Sequence, residues 1–473
     1  MNKKIKCFLL ALLILPCLFL TIGCNRTPVV VNFERSSAST SMVDVYTITY
    51  SDGSTSSFSV ENGSDGKDLS IEDIYALAKD AGFTGTFLDF VDMYLDIVIE
   101  TDNSKAINKS LLSVVSVYTE INYDKSSFLN TIKDTAISYG SGVIYRLDKD
   151  AGDAYIVTNY HVVCPDEVSS VSAFSVKCGL YGSMVNFEFP TYSNGMSYTN
   201  ENGYPLVRYT GTTIDCQYIG GSKTYDIAVL KIGGSEVLKN SHALEAKRGD
   251  SNKVVVGQTA IAIGNPSNWG ISATEGIVSV ASEYAPNGSS DNIYEGNRVI
   301  RIDAAVNSGN SGGGLFNGDG ELIGIVNAKI VDESIDNIAY AIPSSIAFKV
   351  VDNLIANSGG NTQKAYKASL GITYTTADSK AVYDEETGTV KIQEEVIIEK
   401  IEENSIADVN GLKPGDKVLK ITTKNEAIET TRLHYATEAE WLLEIGDVVI
   451  FNIEGKTEPI SMLITADCFK YVD

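Results

Sequence analysis

The stretch DAAVNSGNSGGGLF, Asp303 to Phe316, lies between two strand-like apolar runs, VIRI before it and ELIGIVNA after it. It is poor in helix formers and carries four glycines, so the backbone there must turn sharply and lie close to something else. Ser311 stands inside Gly309-Asn310-Ser311-Gly312-Gly313. A nucleophilic serine needs such a setting, with its hydroxyl proud of the loop and the surrounding amide hydrogens converging on one point. A plain glycine-rich turn would read the same way. A base and an orienting acid elsewhere in the chain decide between the two.

The chain has three histidines. His242 (KNSHALEA) and His434 (TRLHYATE) sit in polar, helix-like contexts and read as surface residues. His161 closes the strand-like run DAYIVTNYHVV, beside small polar residues, and is the candidate base. Asp226 opens the apolar strand YDIAVLKI. An aspartate there is either a turn former or the carboxylate that fixes a histidine tautomer. In chain order the three are His161, Asp226 and Ser311, separated by 65 and 85 residues. His–Asp–Ser is the chymotrypsin-like order, distinct from those of subtilisins and α/β-hydrolases.

The local motifs TNYHVV, DIAVL, AIAIGNP (260–266), DAAVNSGNSGGGLF and IAYAIPS (338–344) together resemble the HtrA family of extracytoplasmic serine proteases, over roughly residues 109–352. The resemblance implies two six-stranded β-barrels with His161, Asp226 and Ser311 as the triad in the cleft between them. It places the oxyanion hole on the backbone amides of Gly309 and Ser311, with Asn310 shaping the loop. Ile325, Val326, Asn327 and Ala328 would pair with substrate backbone. Ala305 stands where trypsin-like enzymes place the aspartate of the primary pocket, so cleavage after a small or aliphatic residue is expected, with Asp303 not conferring basic specificity.

Two positions depart from the family pattern. Gly314 and Ser308 each replace a usual proline, which would loosen the loop. The long His161-to-Asp226 interval, irregular from Cys164 to Thr224, reads as a hairpin or loop excursion that gates the site, assembles subunits or merely decorates the surface.

Downstream, Ser369-Leu370-Gly371-Ile372 resembles the carboxylate-binding loop of a PDZ domain. VIIEKIEENSIADVNGLKPGDKVLKI, a helix over 436–445 and the run GDVVIFNIEG continue the likeness. Such domains bind C-terminal peptides by strand addition. The expected fold is therefore mainly β: a chymotrypsin-like double β-barrel protease domain, a C-terminal α+β PDZ domain and a small N-terminal α+β module. Family members are commonly homotrimers, and the added N-terminal module could replace or block that contact.

Residues 1–24 hold three lysines, an apolar run of 16 residues and Gly23-Cys24. That is a secretory leader with a lipobox-like end. Lipidation of Cys24 would make this a lipoprotein on the outer face of a bacterial membrane. Residues 25–45 read as a tether. Residues 46–102 form an accessory module, with a hairpin around a DG turn, a helix in DLSIEDIYALAKDAG and a second helix over 84–100. The protease domain spans 105–352, a linker 353–368 and the PDZ domain 369–470.

A net charge of −24 argues against nucleic-acid partners. No Cys/His grouping suggests a metal, and no cofactor is expected. Cys164, Cys178 and Cys216 leave one disulfide open in an oxidising compartment. The expected partners are protein or peptide substrates and C-terminal peptides. A quality-control protease and a signalling protease read alike here, and a non-catalytic peptide-binding scaffold on the same folds is the alternative.

Overall fold

The computed structural model describes residues 30–35, 43–50, 55–61, 71–80, 82–83, 103–126, 131–164, 171–285, 297–328, 337–358, 362–385 and 388–472. The chain divides into two units, residues 1–101 and 102–473. In the first, strands Val43–Tyr50 and Thr55–Glu61 form the expected antiparallel hairpin. A third strand, Val30–Arg35, pairs with Val43–Tyr50. Part of the expected tether is thus strand, because Val30, Val31 and Phe33 are residues that favour a pleated surface. Helix Ile71–Asp80 forms as its pattern predicts. The leader with Cys24 and the expected helix over 84–100 lie outside the described residues. Among the described residues no helix is long and apolar enough to cross a membrane.

The second unit contains two closed antiparallel barrels. In the first, the spatial order is Ile214–Ser222, Ile227–Ile232, Asp153–Thr158, Thr131–Asp148, Val114–Ser126 and Val171–Leu180. In the second it is Glu321–Asn327, Gly314–Phe316, Thr259–Gly264, Ser272–Ala285, Asn297–Ile302 and Ala339–Pro343, closed by the pairing of the last with the first.

Strand periodicity explains how the barrels meet. Successive side chains point to opposite faces. Ile144, Ile156, Ala228 and Leu230 share one core inside the first barrel, and Ala260, Ala262, Leu315 and Val326 share another inside the second. Their neighbours Val143, Val157, Val229, Ile261, Ile263, Phe316 and Ile325 turn the other way and form a single core between the barrels. Helix Ser344–Ala356 adds Ile346, Val350 and Leu354 to that core. Strands such as IAVLKI and AIAIG read as continuous apolar runs because both of their faces are buried. Each fully buried aliphatic side chain contributes about 1.5–3 kcal/mol.

The interval from Cys164 to Thr224 is not one excursion. Val171–Leu180 and Ile214–Ser222 are barrel strands, paired with Ile214 opposite Cys178. Only residues 181–213 leave the barrel. They fold back on the long hairpin Val114–Ser126/Thr131–Asp148, where Thr135 Oγ1 donates to Pro205 O at 3.0 Å and Tyr204 OH donates to Asp124 at 3.0 Å. At the base of this excursion the Cys178 and Cys216 thiols lie 3.0 Å apart.

Both ends of the expected linker over 353–368 are regular secondary structure. Helix Ser344–Ala356 enters it, and Ala365–Ala368 is a strand paired with Phe469–Val472. Beyond it lie the hairpin Ile372–Asp384/Thr389–Ile401 and a four-stranded sheet around Val418–Thr422 and Val448–Ile453. Helix Leu433–Ala439 begins three residues before the expected 436 and gives way to a one-turn 3-10 helix, Glu440–Leu442. Leu433, Ala436 and Ala439, three residues apart, face the core of this C-terminal domain.

Candidate active site

Each barrel brings its share of the site to the seam between them. Strand Asp153–Thr158 ends at Asn159, and one helical turn, Tyr160–Val163, carries His161. Asp226 precedes strand Ile227–Ile232 with φ +50, in the left-handed region. An aspartate tolerates that conformation better than most residues. Two donors hold it there: Asn159 Nδ2 reaches Asp226 O at 2.9 Å and Tyr160 N reaches it at 3.2 Å.

The Asp226 carboxylate is fully engaged. His161 Nδ1 lies 2.7 Å from Oδ2, and His161 N donates to Oδ1 at 2.9 Å. Asn327 Nδ2 donates to Oδ2 at 2.8 Å from the second barrel. With Nδ1–H directed at a carboxylate, Nε2 is left as the basic nitrogen of a neutral ring.

Ser311 sits in a loop that glycine alone permits. Gly309 has φ +98, and a Cβ there would lie 2.3 Å from Asn265 O. Gly312 has φ +84, and a Cβ there would lie 2.1 Å from Ser141 O. Ser141 ties the loop to the first barrel: its amide donates to Ser311 O at 2.8 Å and its hydroxyl to Gly309 O at 2.7 Å. Ser308 O accepts from Ser267 N at 2.8 Å. In a trans peptide the C=O and N–H point in opposite directions, so this contact turns Gly309 N–H away from the 265–268 segment. Among the described residues neither Gly309 N nor Ser311 N has a partner. Asn310, 5% exposed, bridges the loop through Asn310 N to Asn307 O and Gly313 N to Asn310 O.

Ser311 Oγ accepts from Ala328 N at 3.2 Å. Among the described residues it makes no hydrogen bond to His161. Of the four expected substrate-pairing residues, Val326 bonds Gly312 N and Gly313 O, and Ile325 pairs within the sheet opposite Gly314 and Ile342. At the end of strand Glu321–Asn327, Asn327 Nδ2 reaches Asp226 and Ala328 N reaches Ser311. Ala305 is exposed, and its carbonyl accepts from Thr274 Oγ1 at 2.8 Å. Asp303 Oδ1 accepts from Ile277 N at 2.6 Å. Residues 329–336, next along the chain, lie outside the described residues.

Gly314 differs from its reading as a loosened position. It lies in strand Gly314–Phe316, where an added Cβ would meet the Phe316 ring at 2.3 Å and Leu322 Cδ1 at 3.0 Å. The ring fills the space a side chain would need.

Sequence reasoning missed Ser141 and Ser267, and it named Asn327 for substrate pairing without its contact to Asp226. Ser267 and Asn268 have φ +52 and +58, and both lie in the GNPSN turn behind the nucleophile loop. The signal for Ser141 was its flanking glycines, since a Cβ on Gly140 would lie 2.9 Å from Ser311 O. A cavity of about 680 Å³ between Tyr118, Met184, Asn265 and Trp269 adjoins this turn, and His161, Asp226 and Ser311 do not line it.

In the C-terminal domain, Ser369 N donates to Cys468 O at 2.7 Å, and Leu370 N donates to Glu440 Oε1 at 2.9 Å. Gly371 has φ +75 and packs against Ser405, and Ile372 begins a strand. His434 differs from its reading as a surface residue. It is 3% exposed, with Nδ1 3.5 Å from Ser282 Oγ of the second barrel. Burial, and then the charges of Arg298, Arg432 and Lys349, push its pKa well below the usual 6.5.

Comparison with known proteins gives a consistent picture. The family described as Trypsin-like peptidase domain matches residues 140–325. The Serine protease HtrA-like of Staphylococcus aureus (strain USA300) is 30% identical over 330 residues, 68% of this chain and 37% of that protein. The alignment therefore spans little more than a third of the staphylococcal relatives. The Serine protease Do-like HtrA of Lactococcus lactis subsp. lactis (strain IL1403) is 30% identical over 351 residues, 68% of this chain and 73% of that protein. The solved HtrA-type protease AlgW with decapeptide is 23% identical, with a TM-score of 0.47, over 77% of this chain and 98% of that one. The chain belongs to the HtrA/Do family of trypsin-like serine proteases.

Proposed function

We propose that this chain is an extracytoplasmic serine endopeptidase that cleaves unfolded or regulatory proteins with the triad His161, Asp226 and Ser311. The observation that carries the reading is the His161 Nδ1–Asp226 Oδ2 contact of 2.7 Å, set across the seam from a serine flanked by two amides without partners. Ser311 Oγ attacks the scissile carbonyl, and His161 Nε2 takes its proton and returns it to the leaving amine. Asp226 holds the tautomer and stabilises the imidazolium. Asn327 positions the Asp226 carboxylate. The amides of Gly309 and Ser311 receive the oxyanion, where one lost donor costs about 10²–10³ in turnover.

Cleavage follows small or aliphatic residues, supported by Ala305 at the pocket position and by the tie of Asp303 to Ile277 N. Residues 369–470 act as a PDZ domain that takes C-terminal peptides at Ser369–Ile372. Cys24 carries a lipid anchor that holds the enzyme at the outer face of a bacterial membrane.

Digestion of unfolded casein by wild type and by Ser311→Ala, with product termini read by mass spectrometry, tests the assignment. Wild type is expected to cleave after Val, Ala or Leu and the variant not at all. Cleavage by the variant contradicts the triad, and cleavage mainly after Lys or Arg contradicts the pocket. The second reading, a peptide-binding scaffold, draws on the hydrogen bond of Ser311 Oγ to Ala328 N rather than to His161. A wild type that binds peptides and cleaves nothing would favour it.

A further inference from the structure

The loop Ser369–Ile372 already holds a carboxylate, and it belongs to the chain itself. Leu370 N donates to Glu440 Oε1 at 2.9 Å in a buried contact, and Glu440 Oε2 pairs with Lys367. The two charged side chains are 14% and 10% exposed. Gly371 N has no partner among the described residues. Ser369 N is tied to Cys468 O, so the loop offers two backbone donors beside a lysine, an arrangement that receives a carboxylate, and Glu440 holds one of them.

Glu440 is poorly placed for local reasons. It follows helix Leu433–Ala439, at the end where the helix dipole disfavours an acid. It is also buried, which disfavours the charged form unless partners compensate. Lys367 and Leu370 N supply that compensation. An incoming carboxylate would meet the same two partners, so exchange leaves no unpaired charge at the loop.

The next residue links the loop to the triad. Trp441 Nε1 donates to Tyr225 OH at 3.3 Å, and the two rings meet edge to face at 5.3 Å. Tyr225 directly precedes Asp226. One turn back, Glu438 pairs with Arg298 of the second barrel at 2.9 Å, with side chains 11% and 5% exposed. The segment from Leu433 to Leu442 is thus clamped between the C-terminal core and both barrels.

We propose that Glu440 is an internal ligand of the Ser369–Ile372 loop, and that the terminal carboxylate of a bound peptide takes Leu370 N by displacing it. The proposal rests on the PDZ reading above. Peptide affinity is reduced by the fraction of molecules in which Glu440 holds the loop. Displacement moves Trp441 off Tyr225, beside the triad aspartate.

The test uses the full chain carrying Trp269→Phe, which leaves Trp441 as its one tryptophan. The probe is a fluorescein-labelled octapeptide ending in valine, as free acid and as C-terminal amide, followed by polarisation. An unlabelled copy serves for tryptophan emission. The free acid is expected to bind more tightly than the amide, and both Glu440→Gln and Glu440→Ala are expected to tighten acid binding about tenfold or more. Saturation with the acid is expected to shift Trp441 emission in the protein that retains Glu440. If the acid is preferred but neither variant tightens it, the PDZ reading survives and the internal-ligand proposal fails. An acid-bound protein with unchanged Trp441 emission also overturns the proposal, and it does so without a variant that must fold. If neither protein distinguishes acid from amide, the PDZ reading fails and takes the proposal with it.

Discussion

Two glycine-containing loops of this molecule carry the backbone amides to which the proposed function gives a negative charge, and they differ in occupancy. At Gly309–Gly313, the amides of Gly309 and Ser311 have no partner among the described residues, because Ser141 and Ser267 bind the neighbouring carbonyls and hold the loop open. At Ser369–Ile372, the amide of Leu370 is filled by Glu440. Donors aimed at a charge that appears only in a transition state must stand ready and unsatisfied, since reorganisation at that moment costs rate. Donors that recognise a stable carboxylate can be held by a surrogate, at the expense of affinity alone. The difference lies in whether a side-chain carboxylate reaches the amides, as Glu440 reaches Leu370 N, rather than in glycine content.

The sharpest way to break that comparison is Gly309→Ala. A Cβ there meets Asn265 O at 2.3 Å at a φ of +98, so the Ser308–Gly309 peptide must move and its donor is lost. Turnover is expected to fall by about 10²–10³ with the fold retained by circular dichroism. Turnover within a factor of two of wild type would mean that Gly309 N is not part of the hole.

Next in size is Gly314→Ala, expected to cost about 1–3 kcal/mol by urea unfolding through overpacking against Phe316. Adding Phe316→Leu should recover most of that loss. If the double-mutant cycle is additive, the ring is not what excludes a side chain at 314.

The smallest effect concerns the helix that precedes Glu440. His434 is neutral in the fold, whereas in the unfolded chain it takes a proton below the usual 6.5. The stability this provides is complete above that value and is lost as pH falls through it, by at most about 1.4 kcal/mol per pH unit. His434→Phe should flatten the melting temperature between pH 6.5 and pH 5, about the window that the unfolded value sets. An unchanged slope would mean that His434 is not the titrating group.

What could be read from the sequence follows from how local each cause is. His161, Asp226 and Ser311 each carry a local marker: a strand end, a strand head and a glycine loop. Strands such as Ile227–Ile232 and Thr259–Gly264 were legible because both of their faces are buried. Ser141 and the contact of Asn327 with Asp226 were not, since both reach across the seam, Ser141 to the backbone of Gly309. His434 and Glu440 look like surface residues beside Arg432, Thr437 and Glu438, yet both are buried, His434 against Ser282 of the second barrel and Glu440 against Lys367 and Leu370 N. Gly314 resembled a flexible substitution until Phe316, two residues on, accounted for it.

A fluorophosphonate probe tests most directly whether Ser311 is the nucleophile that the proposed function requires. Wild type is expected to take up one label, located on Ser311 by mass spectrometry, and His161→Ala to take up none. No labelling of wild type, or labelling at another residue, would contradict the account.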